Sequence, residues 1–290
     1  MRPPAEVLDR LGRSRLLTRR ASPNGGVGER RSQSKGAGLE FVDFRPYQEG
    51  DDTRHLDVNL YARHGAHFIR QYSVDRQLRV SVVVDASLSM GTGNPDKFAT
   101  AKTLANCFGF VGLAGGDLVQ IGVADRAGVS WSPRYQGAAR ADAMFSWLLG
   151  RSCSGTAPFA KALREAVPTL KGGLLILISD WWMDDVADAL KCLDGFDGDI
   201  VAVQIVSPEE DDPGQLGEGA MRLLDAESGD ELELMVDPHT LTAYGAELSR
   251  FRETLQSEIR RRQGQFIGIR SDVDMMDLFG RQLRVQEVIG

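Results

Sequence analysis

The sequence predicts an α/β fold organised around a doubly wound, mostly parallel sheet, and three observations predict it. Short apolar, β-branched runs recur at residues 80–84, 118–124, 174–179 and 200–206. Stretches with helical spacing of apolar residues lie between them, at about 96–113, 138–149, 158–170 and 184–194. Strands that alternate in this way with helices pair in parallel, because each helix carries the chain back to the start of the next strand. The chain has 290 residues, 42% hydrophobic and 26% charged, which is ordinary globular usage and enough for a sizeable core.

The elements follow in order. Residues 1–21 carry Val7, Leu8, Leu11 and Leu16 among Arg13, Arg15, Arg19 and Arg20, the pattern of a basic amphipathic helix. Residues 22–37 are rich in Gly and Ser and read as a flexible loop, and residues 38–78 as an N-terminal extension. The main domain is expected over 79–290. Its first strand, Val80-Ser-Val-Val-Val84, has no polar alternation and suits a strand covered on both faces. The following helix turns Phe98, Ala101, Leu104 and Ala105 to one side. After Pro208 the alternation breaks, and two strands flanking Ala226-Glu-Ser-Gly-Asp230 predict a late β-hairpin over 221–236. A long helix at about 238–262 and a strand at 265–269 close the pattern.

Charge and cysteine content narrow the function classes. A net charge of −7 disfavours nonspecific binding to nucleic acid or anionic membrane. Cys107, Cys153 and Cys192 show no Cys-x-x-Cys spacing, which points away from a zinc site or a disulfide framework. His55, His64 and His67 fit no common zinc pattern and read as surface or packing residues. No apolar leader or membrane-spanning run is visible, so a cytoplasmic location is expected.

The segment that carries chemistry is Asp85-Ala-Ser87-Leu-Ser89, at the end of the first core strand. Ligands of doubly wound sheets bind beyond the carboxyl ends of the strands. One carboxylate and two hydroxyls at alternate positions can face a single hard cation, Mg²⁺ or Mn²⁺. Ser154-Gly-Thr156 and Ile178-Ser-Asp180 are expected at the same edge, and Thr156 and Asp180 would complete the set. Short hydroxyl-rich loops also cap helices, and Asp180 could cap a helix ahead of Trp181 and Trp182. Three such segments in this order favour the metal.

The three segments resemble the metal-ion-dependent adhesion site of von Willebrand factor A domains, with all five positions matched by Asp85, Ser87, Ser89, Thr156 and Asp180. In that family the two aspartates commonly act through water and the hydroxyls bind directly. A more particular resemblance is to the bacterial Domain of Unknown Function 58 family. It rests on Gly38-Leu-Glu-Phe41, Arg45-Pro-Tyr-Gln-Glu-Gly-Asp-Asp52, Arg54-His-Leu-Asp57 and Ala62-Arg63, with Leu223-Leu-Asp-Ala-Glu-Ser-Gly-Asp-Glu231 as the late hairpin. It runs from about residue 36 to about 285, and departs at Val58, where the family usually has Trp. The alternating charges of Arg45, Asp51, Asp52, Arg54 and Asp57 are expected to pair internally.

The resemblance implies a metal-dependent protein-interaction module that takes an acidic client ligand and serves as adaptor to a MoxR-type AAA+ ATPase, in assembly or maturation of protein complexes. An enzyme is not expected. The competing class is a metal-dependent hydrolase. It lacks support in the sequence, which has no phosphate loop, no Gly-x-Ser-x-Gly elbow and no His-Glu-x-x-His.

Overall fold

The computed structural model describes every residue except 1, 20–30, 33–38, 49–50, 52, 76, 155–158, 184–185 and 218. The chain divides into two compact units, Thr18–Gln77 and Met1–Leu17 with Leu78–Gly290. Thus the first seventeen residues belong with the main domain.

Helix α1 (Ala5–Leu11) opens the larger unit. It buries Val7 and Leu11, one turn apart, and ends at Gly12. The helix expected over 1–21 is therefore shorter than its sequence pattern suggested. Leu16 lies five residues past Leu11, off the buried helical face. It becomes buried in another way: Arg15 N–H donates to the Gly290 carbonyl, Leu17 N–H to that of Val288, and Leu16 bridges Ile289 as extended chain.

The smaller unit is a three-stranded antiparallel sheet in the order β1-β3-β2, formed by β1 (Arg31–Ser32), β2 (Leu39–Pro46) and β3 (Phe68–Asp75). Helix α2 (Val58–His64) joins β2 to β3. Asp57 caps it by accepting from Leu60 N–H at 2.9 Å, and Gly65 ends it at φ +66°, which a residue without Cβ adopts freely. Arg45 grips Asp51 with both terminal guanidinium nitrogens at 2.6 Å, and Asp51 also accepts from Gln48 N–H. Of the expected charge network, Arg45 and Asp51 pair and Asp57 serves as a helix cap, while Asp52 lies outside the described residues. His67 stacks on Tyr61 at 4.5 Å, a packing role. Of the loop expected over 22–37, only β1 is described.

The larger unit continues with β4 (Arg79–Asp85), α3 (Lys97–Ala114), β5 (Leu118–Asp125), β6 (Gly128–Trp131), β7 (Tyr135–Gln136), α4 (Ala141–Leu149) and α5 (Phe159–Ala166). Then follow β8 (Gly173–Ser179), α6 (Val186–Leu190), β9 (Gly198–Val206), α7 (Pro208–Asp211), β10 (Gly219–Leu224), β11 (Glu231–Val236), α8 (Pro238–Arg261) and β12 (Gln265–Arg270). The main sheet runs β12-β9-β8-β4-β5-β6, with β7 also on β5. All pairs are parallel except those of β6 and β7 with β5. The expected doubly wound α/β fold is present, with an antiparallel edge that the sequence reading did not anticipate.

Core packing explains the unbroken valine run. Val82 and Val84 enter one apolar cluster, with Phe108 of α3, Leu11 and Phe279. Val83 enters the opposite cluster, with Phe159, Leu177, Trp181 and Leu255. Each face of β4 is covered by helices, so alternation has no role there. Helix α3 is itself buried nearly all round, and Gly112 lets it approach β5: a Cβ there would meet Val119 Cγ2 at 2.8 Å. Strands β10 and β11 form their own two-stranded sheet, the late hairpin.

Candidate functional site

Strands β4 and β8 are parallel neighbours, with Val84 level with Ile178, so both end at one edge of the sheet. Asp85 closes β4, and Asp180 follows directly on β8. Both are almost fully buried. The loop after Asp85 folds back on its carboxylate: Ser87 N–H donates to Asp85 Oδ1 at 2.9 Å, while Ser179 Oγ–H donates to Oδ2 at 2.6 Å. Buried Met90 anchors the loop from below. This brings the hydroxyls of Ser87 and Ser89 to 3.0 Å from each other. Ser154 N–H donates to the Ala86 carbonyl, tying the third expected segment to this loop. Thr156 lies outside the described residues.

Asp180 is aimed by a reversal of the chain. Trp181 has φ +64°, a region that bulky side chains rarely occupy. It is held there by Ser179 Oγ, which accepts from its N–H, by its indole N–H on the Val203 carbonyl at 2.9 Å, and by Phe159 edge-on. Strain of this kind persists where surrounding contacts over-determine it, commonly at ligand sites. Trp182 N–H and Gln204 Nε2 fix the Asp180 carboxylate and carbonyl.

The other buried charge is Lys97, the first residue of α3. Its ammonium is fully buried and reaches Asp180 Oδ2 at 2.9 Å and Glu210 Oε1 at 2.5 Å. A cation at a helix N-terminus opposes the helix dipole, so the carboxylates must supply its stability. Burial works against the Lys97 charge, but Asp180 and Glu210 outweigh it and hold the ammonium above its usual range. Glu210 is positioned by a capping box, in which its other oxygen accepts from Ser207 N–H and Ser207 Oγ accepts from Glu210 N–H.

A second acid approaches from the hairpin: Ser89 Oγ–H donates to Glu227 Oε1 at 3.3 Å. Burial, and then the charge of Asp180, push the Asp85 carboxyl up to about 7. Burial also raises Glu227, against the Ser89 hydrogen bond, with Asp180 adding to the rise. Among the described residues, Asp85, Asp180, Glu210 and Glu227 thus share one edge with the Lys97 ammonium, and carboxylates gathered in this way favour a further cation. Among the described residues no three His, Cys, Asp or Glu side chains are placed to hold an ion by themselves. A cation here would depend on the hydroxyls and on water, a donor set that suits a hard ion. Cys153 borders the loop near Gly91, and burial pushes its thiol up to about 12, so it is no thiolate nucleophile at neutral pH.

Of the five residues expected at the site, Asp85, Ser87, Ser89 and Asp180 share this edge. Lys97, Ser179, Glu210 and Glu227 join them without having been anticipated. Ser207-Pro-Glu-Glu210 carries a readable capping signature, whereas Lys97 looks like any solvated helix start. At the rim, Leu88 and Trp182 are each 38% exposed, and Trp182 stacks on Phe251 of α8 at 4.9 Å.

The chain is thus a doubly wound α/β domain with an Asp-x-Ser-x-Ser loop at the carboxyl end of its central strand, the arrangement that the resemblance to von Willebrand factor A domains implies. The sequence profile of the family described as protein of unknown function DUF58 matches residues 43–254, and the chain belongs to that family. Similar proteins include uncharacterized proteins of Mycobacterium bovis and Mycobacterium tuberculosis, each 27% identical over 255 residues, covering 83% of this chain and 77% of theirs. Among solved structures, an aerotolerance-related membrane protein from Bacteroides fragilis is similar, at 15% identity and TM-score 0.45, over 73% of this chain and 98% of that one. The SpRpn10 VWA domain is similar at 10% identity and TM-score 0.42, over 71% and 95%. Among the described residues no helix is long and apolar enough to cross a membrane.

Proposed function

We propose that this chain is a metal-dependent protein-interaction module, which holds Mg²⁺, or Mn²⁺ in its place, at the edge formed by Asp85, Ser87, Ser89 and Asp180, with Thr156 as the fifth donor. One observation carries the reading: two hydroxyls 3.0 Å apart stand beside the buried carboxylate of Asp85, whose hydrogen-bond partners among the described residues, Ser87 and Ser179, carry no charge. Ser87 and Ser89 offer direct oxygen donors, while Asp85 and Asp180 supply charge from behind. The bound cation would supply an open coordination position for a carboxylate of an acidic partner. Leu88 and Trp182 give that partner an apolar rim, and aromatic anchors beside a polar contact dominate binding energy at interfaces.

The role is binding rather than catalysis. Each buried acid is engaged in holding the loop or Lys97, which leaves neither placed as a general base. Membership of the family supports a MoxR-type AAA+ ATPase as the partner, with the chain as its adaptor in assembling or maturing protein complexes. Asp85→Ala is the test, read by calorimetry with Mg²⁺ and by pulldown of the ATPase with and without EDTA. Loss of Mg²⁺ binding together with EDTA-sensitive capture is expected. A variant that binds Mg²⁺ like the wild type, or capture indifferent to both EDTA and the substitution, refutes the metal bridge.

A further inference from the structure

The hairpin β10–β11 reaches the site by its tip alone. Asp225 Oδ1 accepts from both Glu227 N–H and Ser228 N–H, at 2.8 and 2.7 Å, and Gly229, at φ +76°, closes the turn through its N–H on the Asp225 carbonyl. This turn fixes where Glu227 points. Its carboxylate meets Ser89, one of the two hydroxyls that face the proposed cation, across 138 positions of sequence. Glu227 is half-buried there, at an edge that already holds the buried carboxylates of Asp85 and Asp180. A carboxylate brought to an already acidic edge makes sense where a cation lies between the acids.

The arm behind the tip is loosely attached. Leu224, Leu232 and Met235 are more than half exposed, and among the described residues the two strands pair only with each other. A two-stranded hairpin is marginal in isolation, and regions with few buried contacts open at low free energy.

We infer that Glu227 is the chain's own acidic ligand: it takes the position at the Ser87–Ser89 edge that a partner's carboxylate would take, and the β10–β11 arm must lift before a partner can engage. This rests on the metal-site reading above. An acidic partner then competes with a tethered carboxylate of the same chemistry, and the arm sets a threshold that weak acids do not cross.

The test uses the full chain with Mn²⁺ as the probe, followed by water-proton relaxation, which counts waters on the ion. Glu227→Gln is expected to weaken Mn²⁺ binding roughly ten- to a hundredfold, the range seen when a supporting residue of a metal site is lost. It is also expected to admit an additional bound water, and added acetate should displace that water in the variant but not in the wild type. Glu227→Asp, which keeps the charge on a shorter stem, should fall between the two. Equal Mn²⁺ affinity and equal hydration in wild type and Glu227→Gln, with Asp85→Ala still abolishing binding, would overturn the inference and leave the metal site standing. Absence of Mn²⁺ binding in the wild type itself would overturn both.

Discussion

Replacing Lys97 by Met keeps the length of the side chain and removes its charge. In the native protein that charge is fully buried and shared between Asp180 and Glu210, at 2.9 and 2.5 Å. Taking one partner from a buried ion pair costs about 3–5 kcal/mol, because the remaining charge has no water to turn to. Two features place Lys97→Met at the lower end. Glu210 retains 27% side-chain exposure and its bond from Ser207 N–H, and Asp180 retains Trp182 N–H. A loss of about 3 kcal/mol is expected, which in a domain of this size lowers Tm by about 6–12 °C. Thermal unfolding in EDTA measures it. Adding Asp180→Asn to Lys97→Met should cost much less than the two single effects together, since the double variant no longer leaves Asp180 charged and buried without its cation. Mg²⁺ is expected to recover more stability in Lys97→Met than in wild type, because a ligand of the native state stabilises it by an amount that grows with the logarithm of its affinity. A drop under about 2 °C for Lys97→Met, or strict additivity in the double variant, would refute the argument that this ammonium holds the acidic edge together.

Two further outcomes follow from the same geometry. Asp85 keeps its proton to about pH 7 when folded and releases it near 3.8 when unfolded, so between these values the native state binds more protons and stability falls as pH rises. In EDTA, wild type should lose about 3 kcal/mol relative to Asp85→Asn between pH 5 and pH 8, measured by urea unfolding, and parallel pH profiles for the two proteins would contradict the assignment. Gly112→Ala places a methyl 2.8 Å from Val119 Cγ2 and is expected to cost about 1–3 kcal/mol through overpacking, checked by the same unfolding assay.

The fold was legible wherever burial was two-sided. The run Val80 to Val84 reads as a central strand because helices cover both of its faces, and its neighbours at 174–179 and 200–206 read the same way. The hairpin was legible from its turn chemistry. The antiparallel edge was not, because β6 has only four residues, all half-buried, and its turn at Asp125–Gly128 follows a strand that already fits the parallel pattern. At the site, Asp85, Ser87, Ser89 and Asp180 could be found because each sits at a strand end in a local motif. Lys97 and Glu227 could not. Their partners lie 83 and 138 positions away, and nothing in Pro95-Asp-Lys97 or Ala226-Glu227 distinguishes a buried ion from a solvated one.

Residues 15–17 are held as extended chain against residues 288–290, with hydrogen bonds in both directions between Arg15 and Gly290. On the ribosome this pairing has a schedule. Leu16, which ends wholly buried, must wait for Ile289, and at about 5–20 residues per second that is roughly 15–60 seconds. Through that interval the main sheet can assemble strand by strand, while Leu16 still lacks the extended segment it bridges. The seam between the two segments therefore closes late: a nascent chain stalled before residue 288 lacks the backbone partners of Arg15 and Leu17 and the bridge from Leu16 to Ile289.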